Sequence, residues 1–281
     1  MMRLIKYCEL EFNIAIVCKT LQLGTFDYYR ELDPEFSIAD ATEGFILYRG
    51  PTRPITVGAN ALNSISGGAV RVNDATNFKS PPPPSVPGAV EFKVANSEWV
   101  FTEEGLKAKV GPDLEVRLRY PNSYMFCVSQ IEDHETPEPT SVSASYDSHY
   151  FISKNADVGE FVGFVTKALC DQLTLDDLDL SGKENIPYSQ LSLPVEAVVL
   201  HNTVEYVVDK TIRLTCEADF TLNRYTEIYF SSMFRKPDCY IKNAEYRFVI
   251  LLKHPTLGIL SVKKQPKLLQ LMPISSTVST T

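Results

Sequence analysis

Asn243-Ala244-Glu245-Tyr246-Arg247-Phe248-Val249-Ile250-Leu251-Leu252-Lys253 is the stretch on which the fold turns. From Tyr246 to Lys253 it reads as a strand, paired with a second run from Ile259 to Lys263. Side chains alternate along a strand, so Glu245 and Arg247 share one face while Tyr246 and Phe248 share the other. Two charged residues entering a strongly apolar strand can be a site or a solvent-facing ion pair on an amphipathic strand. That choice depends on what the rest of the chain brings beside them.

Working outward, Tyr124 to Ser129 reads as a buried strand, Tyr146 to Ile152 leads into another, and strands resume from Val195 to Tyr206. Phe161, Val162, Val165 and Leu169 predict a helix starting at Asp157 or a neighbour, and Leu10, Ile14, Val17 and Leu21 predict one over 10–21, broken by Gly24. The aromatic stretch Thr25-Phe26-Asp27-Tyr28-Tyr29-Arg30 reads as extended. Strands outnumber helices, which predicts an α+β fold, one domain over 1–281, with a largely antiparallel central sheet and a few flanking helices. Residues 45–120 shift to short runs rich in Thr, Val, Asn and Gly, and read as an accessory β-rich insertion. Within it, SPPPPSVPG at 80–88 predicts an exposed polyproline loop, because consecutive prolines lack the donors that a helix or a central strand needs.

The 281 residues carry 27 Lys+Arg against 35 Asp+Glu, a net charge of −8. This excludes a global basic field for gathering nucleic acid, though not a local basic groove. No apolar run approaches the ~20 residues of a membrane span. The opening MMRLIKYCELEF carries charges where a secretory leader needs apolar residues, which predicts a cytoplasmic protein without membrane attachment. Six cysteines are scattered without C-x-x-C or histidines at zinc spacing, so reduced thiols and no metal site are expected. Phosphate-loop, nucleophile-elbow, zincin and dinucleotide fingerprints are all missing.

Three segments carry more chemistry than packing needs. The first runs from Ile5-Lys6-Tyr7 through Leu23–Arg30 to Asp40-Ala41-Thr42-Glu43-Gly44. The second joins Phe126-Cys127-Val128-Ser129 to Tyr146-Asp147-Ser148-His149-Tyr150. The third is Phe234–Val249, which contains Glu245-Tyr246-Arg247. In this order they resemble an uncharacterised family of bacterial and phage-associated domains with Lys-Tyr, Cys-x-Ser, Tyr-x-x-His and Glu-Tyr-Arg motifs. The layout is also similar to ADP-ribosyltransferase folds. The 40–44 loop departs from that family's Phe-Asn-Asp-Pro-like form, and 45–120 lies outside the resemblance.

What the resemblance implies is an NAD-dependent ADP-ribosyltransferase, an effector of the toxin–antitoxin or phage-conflict type that modifies a protein or nucleic-acid acceptor. NAD would be the substrate, no metal would be needed, and an antitoxin or other protein would be the partner. Glu245 would stabilise the oxocarbenium-like ribose and orient the acceptor, with Ser129 and His149 supporting from the middle strands. Arg3, Lys6 or Arg247 would meet the diphosphate, and Tyr28 or Tyr29 would stack the nicotinamide. On this reading Glu245→Gln leaves folding nearly unchanged. The alternative from a different class is a non-catalytic protein-binding or sensor module of a phage-defence or phage-encoded system. A cleft that gathers Lys6, Tyr28 or Tyr29, Ser129 and Glu245 separates the two.

Overall fold

The strand Glu245–His254 is buried along both faces except at the half-buried Tyr246 and the exposed Lys253, which explains its continuous apolar run. It pairs antiparallel with the central strand Tyr124–Glu132, setting Glu245 opposite Ser129, Arg247 opposite Cys127 and Phe248 opposite Phe126. On the other side of the central strand lies the first strand, Met2–Cys8, antiparallel, with Ile5 opposite Ser129. The first and late strands therefore flank one strand of the same sheet, and residues at the two ends of the sequence meet.

The computed structural model describes residues 2–32, 40–58, 61–62, 89–94, 98–102, 105–152, 158–181, 195–271 and 278–279. These form two units: Met1–Glu43, Pro121–Val207 and Lys236–Thr281 make the first, and Gly44–Tyr120 with Val208–Arg235 make the second. The fold is mixed α+β, with mostly antiparallel sheets and few helices. The region 45–120 falls in the second unit, together with 208–235, which its sequence pattern does not tie to it. The proline segment at 80–88 lies outside the described residues, as does Asp157. Among the described residues, no helix is long and apolar enough to cross a membrane.

The first unit is built on a ten-stranded sheet among the described residues. One face carries Leu4, Cys8, Phe126, Val128, Tyr150, Ile152, Phe248 and Ile250, clustered with Phe161, Val165 and Leu169 of the helix Val158–Gln172. The rings of Phe126, Phe161 and Phe248 lie 5.6 to 6.1 Å apart, centroid to centroid. The opposite face carries Ile5, Tyr7 and Phe151, with Tyr146 and Ile131 packed against them, and the charged pair Glu245 and Arg247.

The second unit has a four-stranded sheet, in which Leu114–Arg119 lies between Phe45–Arg49 and Ala89–Val94, and a three-stranded one built from Ile55–Gly58, Gly105–Val110 and Glu98–Thr102. Leu114, Val116 and Leu118 are buried while Arg117 and Arg119 are exposed, as alternation requires. Tyr120 donates its hydroxyl to the carbonyl of Tyr229 at 2.6 Å.

Two sequence-based expectations are corrected. The helix predicted over 10–21 is instead a single 3₁₀ turn at Leu10–Phe12, followed by turns and the strand Thr20–Thr25. Asn13 is the cause. It is fully buried, its Nδ2 donates to Ser148 Oγ and to the His149 carbonyl, both at 2.8 Å, and its Oδ1 accepts from the Ala15 N–H at 2.9 Å. A side chain that bonds the local backbone competes with helix continuation, and Ile16 and Val17 are left exposed. The second correction concerns 25–30, where Phe26–Arg30 is a short helix. Thr25 caps it by accepting the Tyr28 N–H at 3.0 Å, and Asn122 Oδ1 accepts the Asp27 N–H at 2.9 Å.

Candidate functional site

The central strand is paired along one edge by the late strand, but its other edge is shared by two partners. The first strand takes Ser129–Glu132, and the second strand, Thr20–Thr25, takes only Tyr124 and Met125. Between them Phe126–Val128 has no strand on that edge, and the sheet is split. Lys6 bridges the gap: its Nζ donates to the Cys127 carbonyl at 2.9 Å and lies 5.2 Å from the centre of the Phe126 ring. Within a strand a residue's N–H and C=O leave on the same side, so the Cys127 N–H faces the split as well.

A cavity of about 220 Å³ opens at this split. Lys6, Tyr28, Tyr29, Tyr146, Tyr150 and Phe12 are among the residues lining it, and Glu9 is the acidic residue there. The Tyr28 and Tyr29 rings meet edge to face, with centroids 5.3 Å apart. Tyr29 stands over Gly24, so close that a Cβ on Gly24 would come within 2.4 Å of its ring. Burial pushes the Tyr29 and Tyr146 phenols up, so they are neutral donors and acceptors at ordinary pH. Burial also lowers the Lys6 pKa, opposed by the nearby Glu245 charge. The Cys127 carbonyl is the one hydrogen-bond acceptor of Lys6 among the described residues. Two of its three donors are therefore left for a ligand or solvent.

Glu245 and Arg247 belong to a buried ion cluster. Glu245 Oε2 accepts from Lys236 Nζ at 3.0 Å and its Oε1 from Arg247 Nε at 2.8 Å. Arg247 Nη1 and Nη2 donate to the two oxygens of Glu43 at 2.8 and 3.2 Å. Side-chain exposure is 7% or less for all four, and the two carboxylates balance the two cations. Burial by itself would raise the Glu245 pKa. Arg247 and Lys236 overcome this and hold the carboxyl well below the usual carboxylate range. Burial, reinforced by the Glu245 charge, pushes the Cys127 thiol up to about 12.

Of the residues singled out from the sequence, Lys6, Tyr28 and Tyr29 line one cavity. Glu245 and Arg247 lie in the ion cluster, with Ser129 opposite Glu245. Arg3 lies 4.5 Å from the centre of the Phe151 ring and donates to the Glu135 carbonyl at 3.0 Å. His149 sits opposite Tyr7 with its ring edge-on to Phe151, its pKa lowered by burial and by Arg3. Neither Arg3 nor His149 lines the cavity. Tyr146, Tyr150, Glu43 and Lys236 all lie in the same three segments but carry no role read from the sequence, although a buried arginine beside one glutamate calls for a second carboxylate. Among the described residues no group of His, Cys, Asp and Glu could hold a metal ion. Comparison with known protein families, with curated proteins and with solved structures returns no match for this chain.

Proposed function

We propose that the first unit is a small-ligand-binding module and that its binding site is the split between the first and second strands. The observation that carries this reading is Lys6, a half-buried ammonium with a single protein acceptor among the described residues, lining a cavity walled by tyrosines. A desolvated cation costs free energy unless something is gained, and pockets that combine apolar walls with a few convergent polar groups are the usual places for ligands. The cavity, at about 220 Å³, suits one ring system with a short polar arm. Equilibrium binding of small aromatic ligands tests this reading, with Lys6→Met and Tyr28→Ala as controls. Binding that neither variant weakens would place the ligand elsewhere and sink it.

A transferase acting on NAD is the second reading, favoured by one observation: Glu245 stands two residues from Arg247, which lies opposite Cys127, the residue whose carbonyl holds Lys6. NAD would then enter by the split, with Lys6 meeting its phosphates and Tyr28 or Tyr29 its nicotinamide. Glu245 would have to exchange an ion-pair partner for the ribose, since both of its oxygens are engaged. Nicotinamide release from NAD by the parent protein, measured with candidate acceptors present, decides this reading. Its absence would leave the binding module alone.

A further inference from the structure

Resting on the binding-module reading, we infer that the ligand class of the cleft is an aromatic monocarboxylate: its carboxylate on Lys6 and the Cys127 N–H, its ring among Tyr28, Tyr29 and Tyr146.

The argument starts from charge. Among the described residues, Lys6 is the one cationic residue lining the cavity and Glu9 the one acidic residue. The charges of Arg247 and Lys236 are balanced by Glu43 and Glu245, so the neighbouring cluster offers no surplus positive charge. A single half-buried ammonium can balance one negative charge. A phosphate monoester near its second ionisation would bring close to two charges into an aromatic pocket, leaving one unbalanced beside Glu9. A neutral amide or ketone would leave the ammonium itself uncompensated. A carboxylate balances it, and its two oxygens match the two donor directions present: the spare N–H groups of Lys6 and the Cys127 N–H turned toward the same gap.

Shape selects the remainder. The lining is dominated by tyrosines and Phe12, and a planar ring presents a face or an edge to each of them. At about 220 Å³ the cavity takes one substituted ring rather than a dinucleotide in full. The tyrosine hydroxyls, held neutral by burial, can donate to ring substituents without adding charge.

The test is calorimetric titration of the full chain with two isosteric probes, benzoate and benzamide, with phenyl phosphate as a third and NAD as a fourth. Benzoate should bind at least tenfold more tightly than benzamide and phenyl phosphate. Lys6→Met should erase that preference by weakening benzoate while leaving benzamide little changed, and thermal melting of the variant checks that it folds. Tyr28→Ala, at a half-buried position, should weaken benzoate and benzamide alike. Benzamide or phenyl phosphate matching or exceeding benzoate would overturn the ligand class while the cleft remains a binding site. Binding of NAD alone among the four would overturn it in favour of a nucleotide. No binding by any of the four would overturn both the class and the reading of the cleft on which it rests.

Discussion

Arg247 grips Glu43 with both arms, Nη1 to Oε1 at 2.8 Å and Nη2 to Oε2 at 3.2 Å, across 204 residues of sequence. The same guanidinium donates through Nε to Glu245 at 2.8 Å. One arginine thus ties the 40–44 loop to the late strand, and Glu245 in turn holds Lys236. Because the cluster is buried, each member depends on the others to stay charged at low cost, and loss of one leaves a partner uncompensated.

Removal of a single partner should therefore destabilise the protein. We expect Glu43→Gln and Glu245→Gln each to cost about 3–5 kcal/mol, the usual penalty for breaking a buried pair from one side. Urea unfolding of the first unit's signal measures it. A loss below about 1 kcal/mol would mean that water reaches the cluster. The sequence-based expectation that Glu245→Gln is silent for folding does not suit a carboxylate placed between Lys236 and Arg247.

Acid lability should follow from the same group. The folded-state pKa of Glu245 is depressed, so its contribution is complete above its unfolded value of about 4.3 and is lost as pH falls below that toward the lower folded value. Stability measured from pH 7 down to 3 should fall more steeply in the parent than in Glu245→Gln. Parallel curves would show that another carboxylate dominates.

Asn13 should prove a structural residue out of proportion to its size. Asn13→Ala removes bonds to Ser148, His149 and Ala15, and leaves buried polar groups without partners at about 1–3 kcal/mol each. Hydrogen exchange should accelerate over residues 14–18, whose N–H groups at Ile16, Val17 and Cys18 point to the Asn13 carbonyl. Unchanged exchange there would assign the turn to other contacts.

Gly24→Ala should remodel the cleft without touching a polar group. The new Cβ would meet the Tyr29 ring at 2.4 to 2.7 Å, so the ring must swing away, at a cost of about 1–3 kcal/mol typical of overpacking. Aromatic ligands should then bind at least tenfold more weakly or with altered selectivity. Unchanged binding would separate Tyr29 from recognition.

Thiol reactivity should divide the cysteines. Burial pushes Cys127 up to about 12 and Cys8 to about 11, whereas Cys216 and Cys239 are exposed and free. Iodoacetamide at pH 8 should label Cys216 and Cys239 and spare Cys8 and Cys127 until the protein is unfolded, because the thiolate is the reactive form. Early labelling of Cys127 would show that the split is open to reagent.

Short-range patterns were enough where one local rule acts alone. The continuous apolar run within Glu245–His254, alternation along Leu114–Arg119, and the spacing of Phe161, Val165 and Leu169 identify strand, strand and helix, because burial on two faces, one face or one stripe is written into each pattern. At 10–21 the same reading fails: apolar spacing favours a helix, but Asn13 finds partners at Ser148 and His149, more than a hundred residues away, and its buried polar groups outweigh helical propensity.

The sequence by itself determined that Glu245 and Arg247 share a face, that Lys6 belongs to an early strand, and that Tyr28 and Tyr29 follow one another near Gly24. Only the tertiary structure decided what surrounds them. Glu43 and Lys236 close the ion cluster because the loop and the late strand are brought together, and the cleft exists because two strands divide one edge of a third and leave Phe126–Val128 between them. Such a gap is a property of register between distant segments. It has no period within any one of them, and the desolvation that sets the charge of Lys6 and Glu245 arises only after those segments pack.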